Sequence, residues 1–195
     1  MIWNINRDTL AFKTPNGIII VEVTTKRVVV KFVSSLFDPH GLVAPLLIKP
    51  KKLIQDLWKA KIGLDCEIPD DYKKIWDEIK EDLLKVEEII IDRCINIEKG
   101  KGTQRFQLVV FADASKVAYA AVIYLKVTNE ETQSVNVHLI YSKHRLSPIK
   151  ENLTIPRLEL MGVLIGCRMT QFIVGQIDLK LKLIIIFTDA KCVIE

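Results

Sequence analysis

The stretch Leu108-Val-Val-Phe-Ala-Asp113-Ala-Ser115 limits the fold more than any other, because it is an apolar, β-prone run that ends on an acid. Two later acids stand in comparable settings: Glu159 in Pro156-Arg-Leu-Glu-Leu160, and Asp189 directly after Leu183-Ile-Ile-Ile-Phe-Thr188. Each has an ordinary reading when taken singly. Asp113 can close an Asx-turn at a strand end, Glu159 can complement a helix dipole, and Asp189 can cap a helix. Taken together, separations of 46 and then 30 residues fit the order strand–strand–strand–helix–strand, which brings all three acids to one end of a sheet. Three carboxylates so placed form a ligand set for a hard divalent cation, Mg²⁺ or Mn²⁺. Without cations, like charges a few ångströms apart push one pKa up until a proton binds.

With 195 residues, 49% hydrophobic and 27% charged, the chain has a globular composition and enough length for one sizeable core or two small domains. Cys66, Cys94, Cys167 and Cys192 make no C-x-x-C pair, and His40, His138 and His144 give no zinc spacing. The thiols therefore read as reduced and intracellular. Residues 1–7 lack the basic and apolar segments of a signal peptide, and no wholly apolar run approaches the ~20 residues of a bilayer span. The expectation is an intracellular protein without membrane insertion. The net charge of +4 is uneven: residues 1–100 hold 16 Lys+Arg and 16 Asp+Glu, and residues 101–195 hold 12 against 8. A basic surround for an acidic centre suits a phosphate-bearing substrate.

In chain order, residues 1–33 read as short β segments. Ile18 to Val23, after the turn signal Asn16-Gly17, and Val28 to Val33 are the β-branched runs. Phe37-Asp-Pro-His-Gly41 reads as a turn, and Pro45 and Pro50 set the start of a helix whose apolar face is Leu53, Ile54, Leu57 and Trp58. Lys49, Lys51, Lys52, Lys59 and Lys61 lie on or beside it, as a solvated face or as a surface that tracks a nucleic-acid backbone. Pro69-Asp-Asp71 opens the clearest helix, with Asp70 as cap and Tyr72, Ile75, Trp76, Ile79, Leu83 and Val86 as its face. Its acids, Asp77, Glu78, Glu81, Asp82, Glu87 and Glu88, read as solvated. A linker is expected from Asn96 to Gln104, dividing domains at 1–98 and 105–195.

Beyond it, Leu108 to Asp113, Ala118 to Val127 and Val135 to Tyr141 read as strands, with a polar turn from Asn129 to Gln133. Pro156 suits the first turn of a helix with Leu158, Met161, Ile165 and Met169 on one face, and Gly162 and Gly166 permit close backbone approach. Leu181 to Thr188 reads as a buried fourth strand. The fold class is α/β: a mixed sheet with a crossing helix, preceded by a smaller segment of strands and helices.

This order of strands, helix and acids resembles ribonuclease H. Several words resemble the reverse transcriptase polyproteins of BEL/Pao retrotransposons: Thr25-Lys-Arg27, Ser34-Ser-Leu-Phe-Asp-Pro-His-Gly-Leu-Val-Ala-Pro45, Phe111-Ala-Asp-Ala-Ser115, Tyr141-Ser-Lys143, Leu153-Thr-Ile-Pro-Arg-Leu-Glu-Leu160 and Thr188-Asp189. The resemblance implies that residues 1–98 are the end of a polymerase palm with thumb and connection, Trp3 standing where a Trp closes the palm. The polymerase's own Asp-Asp word is absent. It implies that residues 105–195 are a ribonuclease H domain hydrolysing the RNA strand of RNA–DNA hybrids with two Mg²⁺ or Mn²⁺ ions. Asp113 would bridge both ions, flanked by Glu159 and Asp189. Ser115, Lys143, Arg145, Arg157, Lys51 and Lys52 would meet phosphates or 2′-hydroxyls. The setting implied is the cytoplasm or a virus-like particle, beside the rest of the polyprotein.

Ribonuclease H enzymes carry a fourth acid further downstream, past a helix these residues do not include, so weak or absent cleavage by this stretch alone is expected. A non-catalytic nucleic-acid-binding or decayed retroelement module is the alternative. An aspartic peptidase would need Asp-Thr/Ser-Gly words, where this chain has Asp113-Ala-Ser and Asp189-Ala-Lys.

Overall fold

The computed structural model describes residues 1–14, 23–95, 103–149 and 153–190. It has two compact units. The first comprises residues 1–39 and 43–94, and the second residues 40–42 and 95–195. The expected Asn16-Gly17 hairpin, most of the linker and Cys192 lie outside the described residues.

In the first unit, β1 (Ile2–Asn4), β2 (Thr9–Ala11) and β3 (Ile90–Asp92) form a small antiparallel sheet in that order. The turn between β1 and β2 ends on Asp8 at φ 52°. Asp8 accepts hydrogen bonds from Trp3 Nε1 at 2.9 Å and from Arg93 Nη2 at 2.9 Å, so one carboxylate ties the turn to β3.

The run Val28 to Val33, expected as a strand, is instead part of helix α1 (Lys26–Ser35). The β-branched content misleads here, because the cap and the period decide the outcome. Thr25 Oγ1 accepts from Val28 N–H, and Val29 and Phe32 bury one helical face. Helix α2 (Ala44–Lys59) starts where the prolines indicate, with Pro45 in its first turn. Its inner face is Leu47, Pro50, Leu53 and Leu57, while Trp58, expected inside, is 57% exposed. Helix α3 (Asp70–Leu84) has Pro69, not Asp70, at the cap. Asp70 and Asp71 lie within the first turn, where their charge complements the dipole. Trp76, Ile79 and Leu83 face inward, Val86 on the following 3₁₀ turn (Lys85–Glu88) continues them, and Phe32 meets Trp76 edge-on at 5.5 Å.

Lys26 is the unusual core residue, 1% exposed. Its ammonium donates to the Ile62 carbonyl at 2.8 Å and stands 3.4 Å from the centroid of the Trp58 ring, so hydrogen bond and cation–π contact offset its desolvation.

In the second unit, β4 (Gln104–Ala114), β5 (Ala118–Asn129), β6 (Val135–Leu146) and β7 (Leu181–Phe187) form a sheet in the order β6-β5-β4-β7, and α4 (Ile155–Gln176) crosses between β6 and β7. β4 pairs antiparallel with β5 and parallel with β7. Leu108, Val110 and Ala112 on β4 and Ala121, Ile123 and Leu125 on β5 make the core with Met169 and Ile173 of α4. By length and hydropathy α4 is apolar enough to cross a bilayer, yet its Leu158, Gly162, Gly166, Met169 and Ile173 are buried.

Two expectations change in this unit. β4 and β6 run further than their apolar cores, since ladder pairing continues through polar residues. β7 is not buried: among the described residues it is an edge strand, with Leu183, Ile184, Ile186 and Phe187 exposed. The apolar run is therefore real, but its burial depends on cover that these residues do not supply. The turn at residues 40–42 belongs to this unit. Ser142 N–H donates to the His40 carbonyl at 2.8 Å, Ser142 Oγ donates to the Gly41 carbonyl, and Gly41 has φ 71°.

Surface ion pairs set how the first unit responds to acid. Hydrogen bonds from Arg93, Arg27 and Lys49 hold the carboxyls of Asp8, Asp65 and Asp82 below the usual range, and Thr14 does the same for Glu87. A depressed folded pKa gives stability that is complete above the unfolded value, 3.8 for Asp, and that is lost as pH falls through the lower folded value. Melting temperature should therefore fall as pH drops below about 4, with a shallower fall in Asp8→Asn and Asp82→Asn. A melting curve followed by circular dichroism at each pH checks this.

Candidate active site

The three acids reach one end of the second sheet by three separate routes. Along β4 the even-numbered residues from Leu108 to Ala112 are buried, so strict alternation puts Asp113 on the opposite face with the exposed Phe111. In the parallel register Phe111 pairs with Phe187, and Asp113 and Asp189 each lie two residues further on. Neighbouring strands are about 4.8 Å apart. The two backbones thus leave the sheet side by side at the carboxyl ends of parallel strands, where α/β sheets open their crevices.

Glu159 arrives on α4. A Cβ at Gly162 would lie 3.2 Å from the Asp113 carbonyl and 3.4 Å from the Ala120 carbonyl, and one at Gly166 would lie 3.2 Å from Val110 Cγ1. A side chain at either position would press on its neighbours more tightly than most Cβ atoms do, and glycine lets the helix lie this close without that strain. Glu159 precedes Gly162 by one turn and shares its side of the helix, so it comes to the same end of the sheet, half-buried.

Approach is not assembly. Asp113 and Asp189 are exposed, and among the described residues no group of three His, Cys, Asp or Glu side chains is gathered closely enough to hold one ion. One Asp113 oxygen accepts from Ala114 N–H at 2.6 Å, which fixes its rotamer locally.

The other candidates separate by setting. Ser115 forms the turn between β4 and β5, its hydroxyl accepting from Val117 and Ala118 N–H at 3.2 and 3.3 Å. Arg157 is exposed in the first turn of α4. On α2, Lys52 pairs with Asp56 one turn away, and burial pushes the Lys51 ammonium down against the pull of Asp38. Lys49 pairs with Asp82 at 2.7 Å. Much of the basic face of α2 is thus answered by acids within its own unit.

Lys143 and Arg145 stand elsewhere, at a cleft of about 270 Å³ between β6 and α4 that Arg168, Tyr141 and Phe172 also line. Arg168 and Phe172 escape a reading by motif. Their signal is only the i, i+4 spacing along α4.

A model described as the Pao retrotransposon-like RNaseH-like domain matches residues 25–190, and so runs through both units. No curated protein matches the chain.

The glycine approach makes a paired prediction. Gly162→Val should lower stability by about 1–3 kcal/mol, because overpacking against strand carbonyls outweighs the better helix propensity. Gly175→Ala, with nothing within 4 Å of the new methyl, should raise it by about 0.5–1 kcal/mol. Urea midpoints measure both; a gain in the first variant would mean that the helix can lift off without cost.

Proposed function

Because the chain belongs to the Pao retrotransposon RNaseH-like family, we propose that it is part of a reverse transcriptase polyprotein and that its second unit acts on the RNA strand of RNA–DNA hybrids. The observation that carries this reading is the β4–β7 register together with the close approach at Gly162, through which Asp113, Asp189 and Glu159 reach the same sheet end. In this reading the first unit is the palm end, thumb and connection of the polymerase.

The donor chemistry fits Mg²⁺ or Mn²⁺, for all three ligands are carboxylates and none is a thiolate or imidazole. Such ions would supply the charge that makes a water nucleophilic and stabilises a leaving alkoxide. Asp113, Glu159 and Asp189 would hold them, with Asp113 as the shared ligand. The Ala114 N–H holds one Asp113 oxygen and so presents the carboxylate in one orientation. Ion binding must draw the three side chains together, since they are not gathered beforehand. That same observation favours a second reading, a module that binds hybrid without turnover.

Mg²⁺ or Mn²⁺ should raise the melting temperature, because the ion binds the folded site and not the dispersed carboxylates. At a hundredfold excess over Kd the gain is about 2.7 kcal/mol, or roughly 5–10 °C for a chain of this size. Asp113→Asn should abolish the shift. A shift of equal size in that variant would mean that the ions bind elsewhere, and no shift in the parent would leave the non-catalytic reading.

A further inference from the structure

The cleft between β6 and α4 is built by two regular periodicities that meet. On β6, Tyr141, Lys143 and Arg145 alternate onto the face that packs against α4, paired with Ile123, Ala121 and Tyr119. On α4, Ile165, Arg168, Met169 and Phe172 follow at i, i+3, i+4 and i+7, one side of a helix. The floor is apolar, with Met169 only 5% exposed, whereas Phe172 is 60% exposed at the wall. Lys143, Arg145 and Arg168 are all exposed, and among the described residues none of the three side chains meets a carboxylate.

Three cations that converge without an acid repel one another and are stabilised by an anion. An aromatic wall over an apolar floor gives that anion a second part, a flat ring. The volume is below the about 300–1,000 Å³ of pockets that take drug-sized ligands, so one ring with its phosphates is the appropriate size. We propose that this cleft is a nucleotide subsite for one strand of bound nucleic acid, with Lys143, Arg145 and Arg168 on the phosphates and the base against Phe172 and Tyr141.

Asp113 pairs with Ala120, and Ala120 with His144, which lies between Lys143 and Arg145. Lys143 and Arg145 flank this row two strands from Asp113 and alternate onto the face that α4 covers, whereas Asp113 alternates onto the other face, so the cleft is a surface distinct from that of Asp113. The subsite rests on the reading that this unit handles nucleic acid, and it holds whether or not the acids turn the strand over.

The test is fluorescence anisotropy of a short labelled RNA–DNA hybrid across a salt series, with wild type, Arg168→Ala, Arg168→Lys and Phe172→Ala, each checked for an unchanged melting curve. Arg168→Ala should weaken binding several-fold and make the slope of log K against log salt shallower by about 0.7–0.9 for each phosphate it no longer neutralises. Arg168→Lys should keep the slope. Phe172→Ala should weaken binding about fivefold or more with the slope unchanged, since stacking is not screened. Both positions are exposed, so if one variant misfolds the other still decides. Affinities within about twofold of wild type would overturn the subsite, as would absence of hybrid binding by wild type. A site filled by free thymidine monophosphate or inorganic phosphate, lost in Arg168→Ala while hybrid affinity is unchanged, would also overturn it in favour of a small-molecule anion. The Mg²⁺ melting shift of wild type is read in parallel. Altered hybrid binding without that shift leaves the subsite and removes the metal site; the shift without altered binding does the reverse.

Discussion

The second unit depends on how closely one helix lies on its sheet. Gly162 and Gly166 give α4 a surface without side chains where it meets β4 and β5, and at Gly162 the carbonyls of Asp113 and Ala120 come within 3.2 and 3.4 Å of where a Cβ would be. The facing strand residues are correspondingly small at that end, Ala112 and Ala121, and larger further along, Val110, Ile123 and Leu108. The helix therefore lies deepest beside the end of β4, and Glu159, one turn before Gly162, comes to that same end of the sheet. Interior packing is dense enough that displacement at such a point moves the whole element, so packing and site geometry here are one constraint.

Much of this was legible in the sequence. The three strands after residue 103, the polar turn from Asn129, the proline at the start of α4 and the role of its glycines all follow from local rules that tertiary structure left in force. Elsewhere those rules competed. At residues 28–33 strand propensity pointed one way, and the Thr25 cap with the Val29 and Phe32 spacing pointed the other; burial of the helical face decided the matter. For β7 the apolar run identified a strand but could not say what covers it. The cleft of Lys143, Arg145 and Arg168 was only half legible, because the third cation is 23 residues from the second and reaches it only through folding.

Charge counted along the chain also differs from charge in space. Residues 1–100 hold equal numbers of acids and bases, and the first unit sets many of them against one another: Arg27 with Asp65, Lys49 with Asp82, Lys73 with Glu67, Arg93 with Asp8. These pairs are exposed and individually weak, but they lower the field that the surface presents. In the second unit the cations at the cleft have no such partners among the described residues, so a modest excess in composition becomes a local concentration.

The short turn at residues 40–42 has a kinetic consequence. Gly41 and Ser142 are 101 residues apart in sequence, and their hydrogen bond closes a loop of that length. Loop-closure entropy rises slowly with length, but it must be met before the closure gives anything back. The turn can dock only on a β6 strand that already exists, so this hydrogen bond belongs to the late part of folding, after the hairpins of the sheet. It also means that neither unit is a continuous piece of chain. A polypeptide begun at Ile95 would present β6 without the segment that hydrogen-bonds Ser142, and its refolding would lack the last, long-range closure.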